Sequence, residues 1–380
     1  MKIDQTRKQI IDGTELLVLK VGSRLLAADD SDARRQRIEQ LIGQVAKLRE
    51  RFEVVLVSSG AIGAGMAMTD AVKRPVDVAR LQGLAAIGQS RLMSLYENAC
   101  QQHGFHCGQL LLSRDDVKER NRHLNVRNCL RALLTDNVLP IINENDTVSV
   151  DEIRFGDNDL LAALVATMLR ADLTILLTTV DGFYRRTDGE LTERLSVIDE
   201  ITDEIRDMAQ GTGDQLYSTG GMISKLNAAE ITLAAGEHLW IADGTDFAVL
   251  DSILAGEDIG SLFRTTRPRM SGSKRWLAFF TESTGELIVD EGAVKAVCED
   301  GRSLLPSGLI RVEGEFGKGD TVAVCAPDGR RIALGMTNYT AAELNQIKGL
   351  RSPQIHELLH RDAYEEAIHR DNMVLVPAGQ

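Results

Sequence analysis

The sequence predicts an α/β fold, with an open, mostly parallel sheet sandwiched by helices, followed by a small β-rich domain. Short apolar runs alternate with longer segments of helical periodicity as far as about residue 260, and this rhythm is typical of β-α-β units. Beyond it, short β-like runs are separated by Gly and Asp turns. With 380 residues, of which 43% are hydrophobic, the chain is long enough for two or three domains with large cores.

The strands of the first domain are predicted at short apolar runs, which are typical of buried parallel strands. They lie at residues 16–21, 52–57, 109–112, 138–142, 173–177 and 239–242. The segments between them carry apolar residues at helical spacing, as Ile38, Leu41 and Val45 do. These segments predict helices at residues 32–51, 76–103, 123–134, 159–169, 226–235 and 247–254.

A change in composition divides the chain. Residues 264–274 carry Pro, Gly, Ser and several basic residues, a composition typical of an exposed linker. We therefore place a first domain at residues 1–263, a linker at 264–281, and a second domain with the C-terminal tail at 282–380. Strands of the second domain are expected at residues 287–289, 309–312, 321–324 and 331–334. Asp328-Gly329, between the last two, predicts a tight hairpin.

Charge and targeting signals narrow the class of protein. The formal net charge of −13 argues against a nucleic-acid binder, which needs a basic face. The N-terminal residues lack the apolar segment of a secretory signal, and no run of about 18 apolar residues predicts a membrane span. The five cysteines have no CxxC spacing, so we expect reduced thiols and no protein-held metal. A cytoplasmic protein is the simplest interpretation.

Polar segments follow several of the apolar runs, where open α/β sheets build their ligand sites. Two of them contribute a lysine beside glycines, Lys20 with Gly22 and Lys225 with Gly220-Gly221. Glycines allow backbone amides to approach a phosphate, and a helix start offers N–H donors. Two converging lysines would stabilise a transferring phosphoryl group, whose charge is spread over its oxygens. Together they point to phosphoryl transfer, although a glycine turn with a solvated lysine explains each segment taken alone.

The other polar segments have two interpretations each. Ser59-Gly60 is either an anion-binding turn between a strand and a helix or an ordinary N-cap. The segment NEND at residues 143–146 is either a site for the ammonium and carboxylate groups of an amino acid or a plain turn. In the segment GDND at residues 156–159, the polar residues either cap the following helix or place Asp159 to hold both lysines by ion pairing.

Motifs of other enzyme classes are missing from the sequence. None of the seven histidines lies in the polar segments, so no pair of nucleophile and base indicates a hydrolase. Neither GxGxxG nor GxxxxGK[ST] occurs in the chain. This argues against a Rossmann dinucleotide site and against a Walker A loop.

Taken in order, the motifs resemble those of the glutamate 5-kinases in the amino acid kinase family. They include VLKVGS, VLVSSGAIGAG, LQGLAAIGQSRL, VLPIINENDTV, FGDNDLLAALVA and STGGMISKLNAA. The later segments KRWLAF, GELIVDEGAVKAV and SLLPSGLIRVEGEFGKGD are similar to the PUA domain of bacterial members. The resemblance extends from about residue 16 to residue 376. It implies a first domain of the acetylglutamate-kinase-like fold and a PUA domain after it.

The resemblance implies ATP-dependent phosphorylation of the γ-carboxylate of L-glutamate to L-glutamyl 5-phosphate, the first step of proline biosynthesis. Lys20 and Lys225 match the lysines that stabilise the phosphoryl group, and Asp159 matches the aspartate that orients them. The positions that match glutamate-binding residues are Ser59, Asp146 and Asn158. The positions that match nucleotide-binding residues are Lys20, Thr178, Thr179, Thr219, Gly220, Gly221, Met222, Ile223, Ser224 and Lys225. Thr179 stands where the family usually has an aspartate.

Cofactors and partners follow from the same resemblance. It implies ATP with Mg²⁺, which would be held mainly by the phosphates and by water. It also implies inhibition by proline at or near the glutamate site, a homo-oligomer, and contact with glutamate-5-semialdehyde dehydrogenase. The alternative is an RNA-binding PUA protein with a vestigial kinase domain. Acidic residues outnumber basic ones across residues 282–362, which disfavours that alternative.

Overall fold

The computed structural model describes residues 4–27, 31–69, 73–148, 158–187, 190–210, 221–350, 354–355, 358 and 364–376. The chain divides into two compact units, Met1–Arg269 and Met270–Gln380. Among the described helices, none combines the length and the apolar character needed to cross a lipid bilayer.

The first unit is built on a large sheet. Its described strands are β1 (Leu16–Val21), β2 (Glu53–Val57), β3 (Cys107–Leu112), β4 (Leu139–Glu144), β5 (Leu173–Thr178), β6 (Phe183–Thr187), β7 (Glu190–Leu195), β8 (Val197–Ile198), β9 (His238–Asp243) and β10 (Ser261–Phe263). Eight of these strands form one sheet in the order β3-β4-β2-β1-β5-β9-β10-β8, while β6 and β7 form a separate hairpin. All neighbours in the large sheet pair in parallel except β9 and β10. The mostly parallel sheet predicted from the sequence is confirmed.

Helices cover both faces of this sheet. They are α1 (Gln5–Asp12), α2 (Ser23–Leu26), α3 (Ser31–Arg49), α4 (Ala61–Met68), α5 (Val78–Gln102), α6 (Arg114–Lys118), α7 (Arg120–Thr135), α8 (Asn158–Leu169), α9 (Asp203–Gln210), α10 (Met222–Ala235) and α11 (Val249–Leu254). On one face, Leu17, Leu19 and Val21 of β1 are buried with residues of α3, α5 and α11. Because side chains alternate along a strand, Lys20 lies on the opposite face, where α8 packs against β1 and α10 packs against α8.

The N-terminal helix α1 was not predicted, because its residues are mostly polar. Asp4 caps the helix by accepting the backbone N–H of Thr6 at 2.8 Å. Arg7 is fully buried; its guanidinium group donates to the Ser196 carbonyl oxygen at 2.7 Å and lies 5.1 Å from the ring centre of Trp240. A buried, hydrogen-bonded arginine therefore anchors this helix, whose sequence shows little apolar periodicity.

Glycines set the contact between α4 and α5. A Cβ atom on Gly88 would lie 1.8 Å from the carbonyl oxygen of Ala61. One on Gly65 would lie 2.0 Å from the carbonyl oxygen of Leu84. Gly60, just before α4, has a φ of +95°, which residues with side chains rarely adopt. These constraints fix the backbone at the start of α4.

Replacing Gly88 by alanine is expected to destabilise the protein by about 1–3 kcal/mol, because the new methyl group meets the backbone of α4. Gly83 on the same helix has nothing within 4 Å of an added Cβ. Gly83→Ala is therefore a matched control and should stabilise the protein by up to about 1 kcal/mol. Urea denaturation of the two variants measures the difference. Equal stability of the two would contradict the tight packing of α4 on α5.

A buried histidine on α7 makes stability depend on pH. His123 is 6% exposed, and its Nδ1 lies 3.1 Å from the Val117 carbonyl oxygen. Burial lowers the pKa of His123 from 6.5 to about 4. Between these values the unfolded chain binds a proton that the folded protein does not bind. The stability contributed by neutral His123 is therefore present above pH 6.5 and is lost as the pH falls towards about 4.

His123→Asn should weaken this pH dependence, because the asparagine amide can still donate to the Val117 carbonyl oxygen but does not titrate. Between about pH 7 and pH 4.5, we expect the variant to lose about 2–3 kcal/mol less stability than the wild type. Denaturant unfolding across this pH range measures the difference. Parallel pH profiles for the two proteins would refute the role of His123.

The second unit has its own sheet and core. Its described strands are β11 (Gly285–Val289), β12 (Leu309–Gly314), β13 (Thr321–Cys325), β14 (Arg331–Met336) and β15 (Met373–Leu375), in the order β12-β11-β13-β14-β15. Its described α-helices include α12 (Gly272–Phe279), α13 (Glu291–Cys298) and α14 (Ala341–Ile347). β13 and β14 are antiparallel, and Gly329 between them has a φ of +86°. The hairpin predicted at Asp328-Gly329 is confirmed.

The predicted linker at residues 264–281 is folded at both ends. Arg264 belongs to the first unit and pairs with Asp199 at 2.6 Å, and Arg269 pairs with Asp172. Helix α12 belongs to the second unit, and its Leu277 is fully buried. Gly272 begins α12, and Pro268 lies in the irregular segment before it. We propose a domain boundary between Arg269 and Met270 in place of a linker over the whole stretch.

Candidate active site

Two lysines and one aspartate form a buried charge cluster at the carboxyl end of β1. Lys20 Nζ lies 2.5 Å from Asp159 Oδ1, and Lys225 Nζ lies 2.9 Å from Asp159 Oδ2. Asp159 is fully buried, and each lysine is 5% exposed. Ser224 Oγ lies 3.3 Å from Asp159 Oδ2. Each carboxylate oxygen thus faces a different ammonium group, and the Lys20–Asp159–Lys225 cluster carries one net positive charge.

Three elements that are distant in the sequence position this cluster. In β1, Lys20 pairs in register with Val57 of β2 and Leu176 of β5. Asp159 lies in the first turn of α8 and Lys225 in the first turn of α10, and these two helices pack together. Helix starts favour negative charge because their first N–H groups lack helical partners and the helix dipole is positive there. The arrangement suits both the carboxylate of Asp159 and an anionic ligand beside α10.

The two lysines determine the protonation of Asp159. Burial alone would raise the pKa of this carboxyl group, but Lys20 and Lys225 together outweigh burial and hold the pKa well below its ordinary value. Asp159 is therefore ionised at neutral pH. Its contribution to stability is present above the ordinary carboxyl range and is lost only as the pH falls through the lowered pKa. The ionised carboxylate keeps both ammonium groups in fixed positions.

Asn158 connects the start of α8 to the ends of two strands. Its Nδ2 donates to the Ser58 carbonyl oxygen at 2.7 Å, to Ser59 Oγ at 2.7 Å and to Asn143 Oδ1 at 2.9 Å. Ser58 and Ser59 follow β2, and Asn143 lies in β4. The structure therefore brings Ser59 and Asn158 together, and Asn158 directly precedes Asp159 of the charge cluster.

The remaining residues matched to substrates lie after strands or at the start of α10. Asp146 lies in the turn after β4 and is half-buried. Thr178 ends β5, and exposed Thr179 follows it. Because β1, β2, β4 and β5 are parallel, these positions share one edge of the sheet with Lys20.

The glycine segment leads into the first turn of α10. Gly221 precedes the helix in an extended conformation, and Ser224 Oγ donates to its carbonyl oxygen at 2.9 Å. Met222 begins the helix, and Ile223 is 47% exposed. Thr219 and Gly220 lie outside the described residues.

Comparison with known families and proteins identifies the family to which this chain belongs. Residues 15–243 match the model of the amino acid kinase family, and residues 285–359 match that of the PUA domain. Glutamate 5-kinase from Caldanaerobacter subterraneus subsp. tengcongensis is 42% identical over 370 residues, which are 96% of this chain and 98% of the relative. Glutamate 5-kinase from Desulfotalea psychrophila is 43% identical over 378 residues, which are 98% and 100% of the two chains. The chain belongs to the amino acid kinase family, among its glutamate 5-kinases.

The family and the PUA domain predicted from the motifs are therefore confirmed. Among solved structures, carbamate kinase from Giardia lamblia bound to AMP-PNP aligns with 67% of this chain and 99% of its own, with a TM-score of 0.46 and 20% identity. At this level of likeness, the family assignment rests on the sequence comparisons.

Amino acid kinases use ATP, which raises the question of where a magnesium ion would be held. Each carboxylate oxygen of Asp159 already faces an ammonium group, so Asp159 does not fit the role of a magnesium ligand. Within the part of the chain that the structure describes, no three His, Cys, Asp or Glu side chains are grouped to hold a metal. The described residues therefore do not fit a metal site built from protein side chains.

Two polar residues at this amino acid kinase site were not predicted, Gln89 and Tyr96. Gln89 Oε1 accepts from Asn143 Nδ2 at 2.9 Å, and Tyr96 OH lies 2.8 Å from Ser58 Oγ. Gln89 and Tyr96 are buried on α5. The sequence does contain a signal for Gln89, because this polar residue lies between buried Ala85 and Leu92 on an otherwise apolar helix face.

Proposed function

We propose that this protein transfers the γ-phosphoryl group of ATP to the γ-carboxylate of L-glutamate, forming L-glutamyl 5-phosphate and ADP. The observation that carries the proposal is the Lys20–Asp159–Lys225 cluster, with two fixed ammonium groups around one buried carboxylate. Relatives named glutamate 5-kinase, aligned over nearly their whole length, support the choice of substrate. The reaction is the first step of proline biosynthesis.

The chemistry needs charge stabilisation and positioning more than proton transfer. An oxygen of the γ-carboxylate attacks the γ-phosphorus of ATP, and the bond from that phosphorus to the oxygen bridging to ADP breaks. The attacking carboxylate is already ionised at neutral pH, so no general base is required. Negative charge is spread over the equatorial oxygens and the leaving ADP. Lys20 and Lys225, held in place by Asp159, stabilise that charge without rearranging during the reaction.

The neighbouring residues divide between the two substrates in this proposal. Ser59, Asp146 and Asn158 bind glutamate. The segment from Gly221 to Lys225, with Thr178 and Thr179, binds the nucleotide, and Thr219 and Gly220 extend that segment. The support is the position of the described residues around the charge cluster and their match to the family motifs.

The wider setting is also part of the proposal. Mg²⁺ enters as part of the MgATP substrate, bound to its phosphates and to water, because Mg²⁺ keeps much of its hydration. Proline inhibits the enzyme at or near the glutamate site, the enzyme forms a homo-oligomer, and its product passes to glutamate-5-semialdehyde dehydrogenase. The reaction takes place in the cytoplasm. The alternative of an RNA-binding protein with a vestigial kinase domain is not favoured, because the charge cluster is complete.

The test is ADP release from MgATP with L-glutamate, compared with N-acetyl-L-glutamate and L-aspartate. Hydroxylamine in the same assay traps the acyl phosphate as a hydroxamate. Hydroxamate formed from L-glutamate alone, and suppressed by proline, is the expected result. Turnover of another acid would support kinase activity but assign a different acceptor substrate. No turnover with any of the three acids would overturn the proposal.

A further inference from the structure

A chain of side-chain amides holds Asn158 in place. The Nδ2 group of Asn158 has two protons and donates to three protein oxygens, those of Ser58, Ser59 and Asn143. Its donors are therefore fully used within the protein. Among the described residues, the hydrogen bonds of the Asn158 side chain are those of Nδ2, and none of these residues donates to Oδ1.

The orientation of Asn143 decides whether it can support Asn158. Asn143 Oδ1 accepts from Asn158 Nδ2 and from the backbone N–H of Glu144, both at 2.9 Å. If the amide of Asn143 were flipped, its NH₂ group would face these two donors and both hydrogen bonds would be lost. The site therefore needs one of the two amide orientations at Asn143.

Gln89 supplies that orientation. Its Oε1 accepts from Asn143 Nδ2 at 2.9 Å, and Gln89 is 9% exposed. Because the NH₂ group of Asn143 is held by Gln89, its carbonyl oxygen faces Asn158. Gln89 lies beside Gly88, where α5 packs directly on the backbone of α4, so its own backbone is rigidly placed.

We propose that Gln89 is a positioning residue for the acceptor substrate. By fixing the amide of Asn143, it directs Asn158 Nδ2 into the protein and Asn158 Oδ1 towards the ammonium group of the bound amino acid. The identity of that amino acid as L-glutamate rests on the proposed function. Asp159 is held by two lysines independently of this chain of amides, so Gln89 acts on substrate binding and not on the phosphoryl-transfer step.

The first test compares Gln89→Met with Gln89→Glu. Methionine has a similar length but no oxygen acceptor, whereas glutamate keeps an acceptor for Asn143 Nδ2. We expect Gln89→Met to raise the KM for L-glutamate about tenfold, the effect of one lost hydrogen bond. Its kcat and its KM for ATP should stay near the wild-type values. Gln89→Glu should have a KM for L-glutamate close to that of the wild type.

A double-mutant cycle separates orientation from packing. In Asn143→Asp, both side-chain oxygens accept hydrogen bonds, so no residue is needed to choose between two orientations. Adding Gln89→Met to Asn143→Asp should therefore raise the KM for L-glutamate no further. An additional tenfold rise in the double variant would overturn the proposal. So would an unchanged KM in Gln89→Met, or an equal loss of kcat and thermal stability in both Gln89 variants.

A crystal structure of Gln89→Met decides the inference even if L-glutamate is not the substrate. Loss of the contacts from Asn158 Nδ2 to Ser58 and Ser59 would support the positioning role, and their retention would overturn it. The wild-type assay with L-glutamate tests the proposed function separately. If the wild-type enzyme is inactive on L-glutamate but Asn158 is displaced in the variant, only the assignment of L-glutamate as the substrate is rejected. The positioning role of Gln89 then stands.

Discussion

Lys225→Ala is expected to lower kcat by about 10²- to 10³-fold while the protein stays folded. The ammonium group of Lys225 lies 2.9 Å from Asp159 in a site that is nearly closed to water. A fixed charge in such a site stabilises a transition state far more than an exposed one does. The remaining pair of Lys20 and Asp159 is neutral, so the variant leaves no uncompensated buried charge. Steady-state kinetics and circular dichroism measure the two effects.

Lys47→Ala provides the matched control for this variant. Lys47 also lies 2.9 Å from an aspartate, Asp251, but its side chain is 51% exposed. Exposed ion pairs contribute at most about 1 kcal/mol, so kcat and stability should change little. If Lys225→Ala keeps wild-type kcat, or if both variants lose activity equally, the catalytic role of Lys225 is wrong.

Asp159→Asn is expected to remove activity and also to destabilise the fold by about 3–5 kcal/mol. Lys20 and Lys225 are each 5% exposed and both ion-pair with this carboxylate. Without its negative charge, two like charges remain buried at close range. The lysines then move apart or take in water, and the geometry for phosphoryl transfer is lost. Urea denaturation and kinetics of the same preparation measure both effects.

A second substitution tests the reason for this loss of stability. Adding Lys225→Met to Asp159→Asn removes one of the two uncompensated charges and keeps the volume of the side chain. The double variant should be more stable than Asp159→Asn alone, although still inactive. Destabilisation equal to the sum of the two single variants would show that charge repulsion is not the cause.

The sequence predicted the elements that have a strong local pattern. β1 was predicted with its observed bounds, because a parallel strand buried on both faces is a nearly continuous apolar run, which in β1 is interrupted only by Lys20. The hairpin at Asp328-Gly329 was predicted because the turn residues themselves specify it. The hairpin of β6 and β7 was missed, since its strands carry charged residues such as Arg185 and Glu193 in place of an apolar run.

The candidate site was only partly predictable for a similar reason. Chemistry suggested that Asp159 would pair with both lysines, and the structure has both ion pairs. The link from Gln89 to Asn143 joins residues that are 54 positions apart. A link of this length depends on how α5 and β4 pack, and neither segment alone specifies it. A polar residue such as Gln89 on an apolar helix face indicates that it has a buried hydrogen-bond partner, but the sequence does not identify that partner.

The order of the chain has a consequence for how the charge cluster forms. Lys20, Asp159 and Lys225 are supplied by β1, α8 and α10, so their meeting closes two long loops of chain. Loop closure costs entropy that is recovered only when the distant segments dock. A nascent or cleaved chain that ends before α10 contains β1 to β8 and the carboxylate of Asp159, but it lacks β9, β10 and the second cation. Catalytic competence therefore reports on the completion of the whole first unit and not on the folding of any one part.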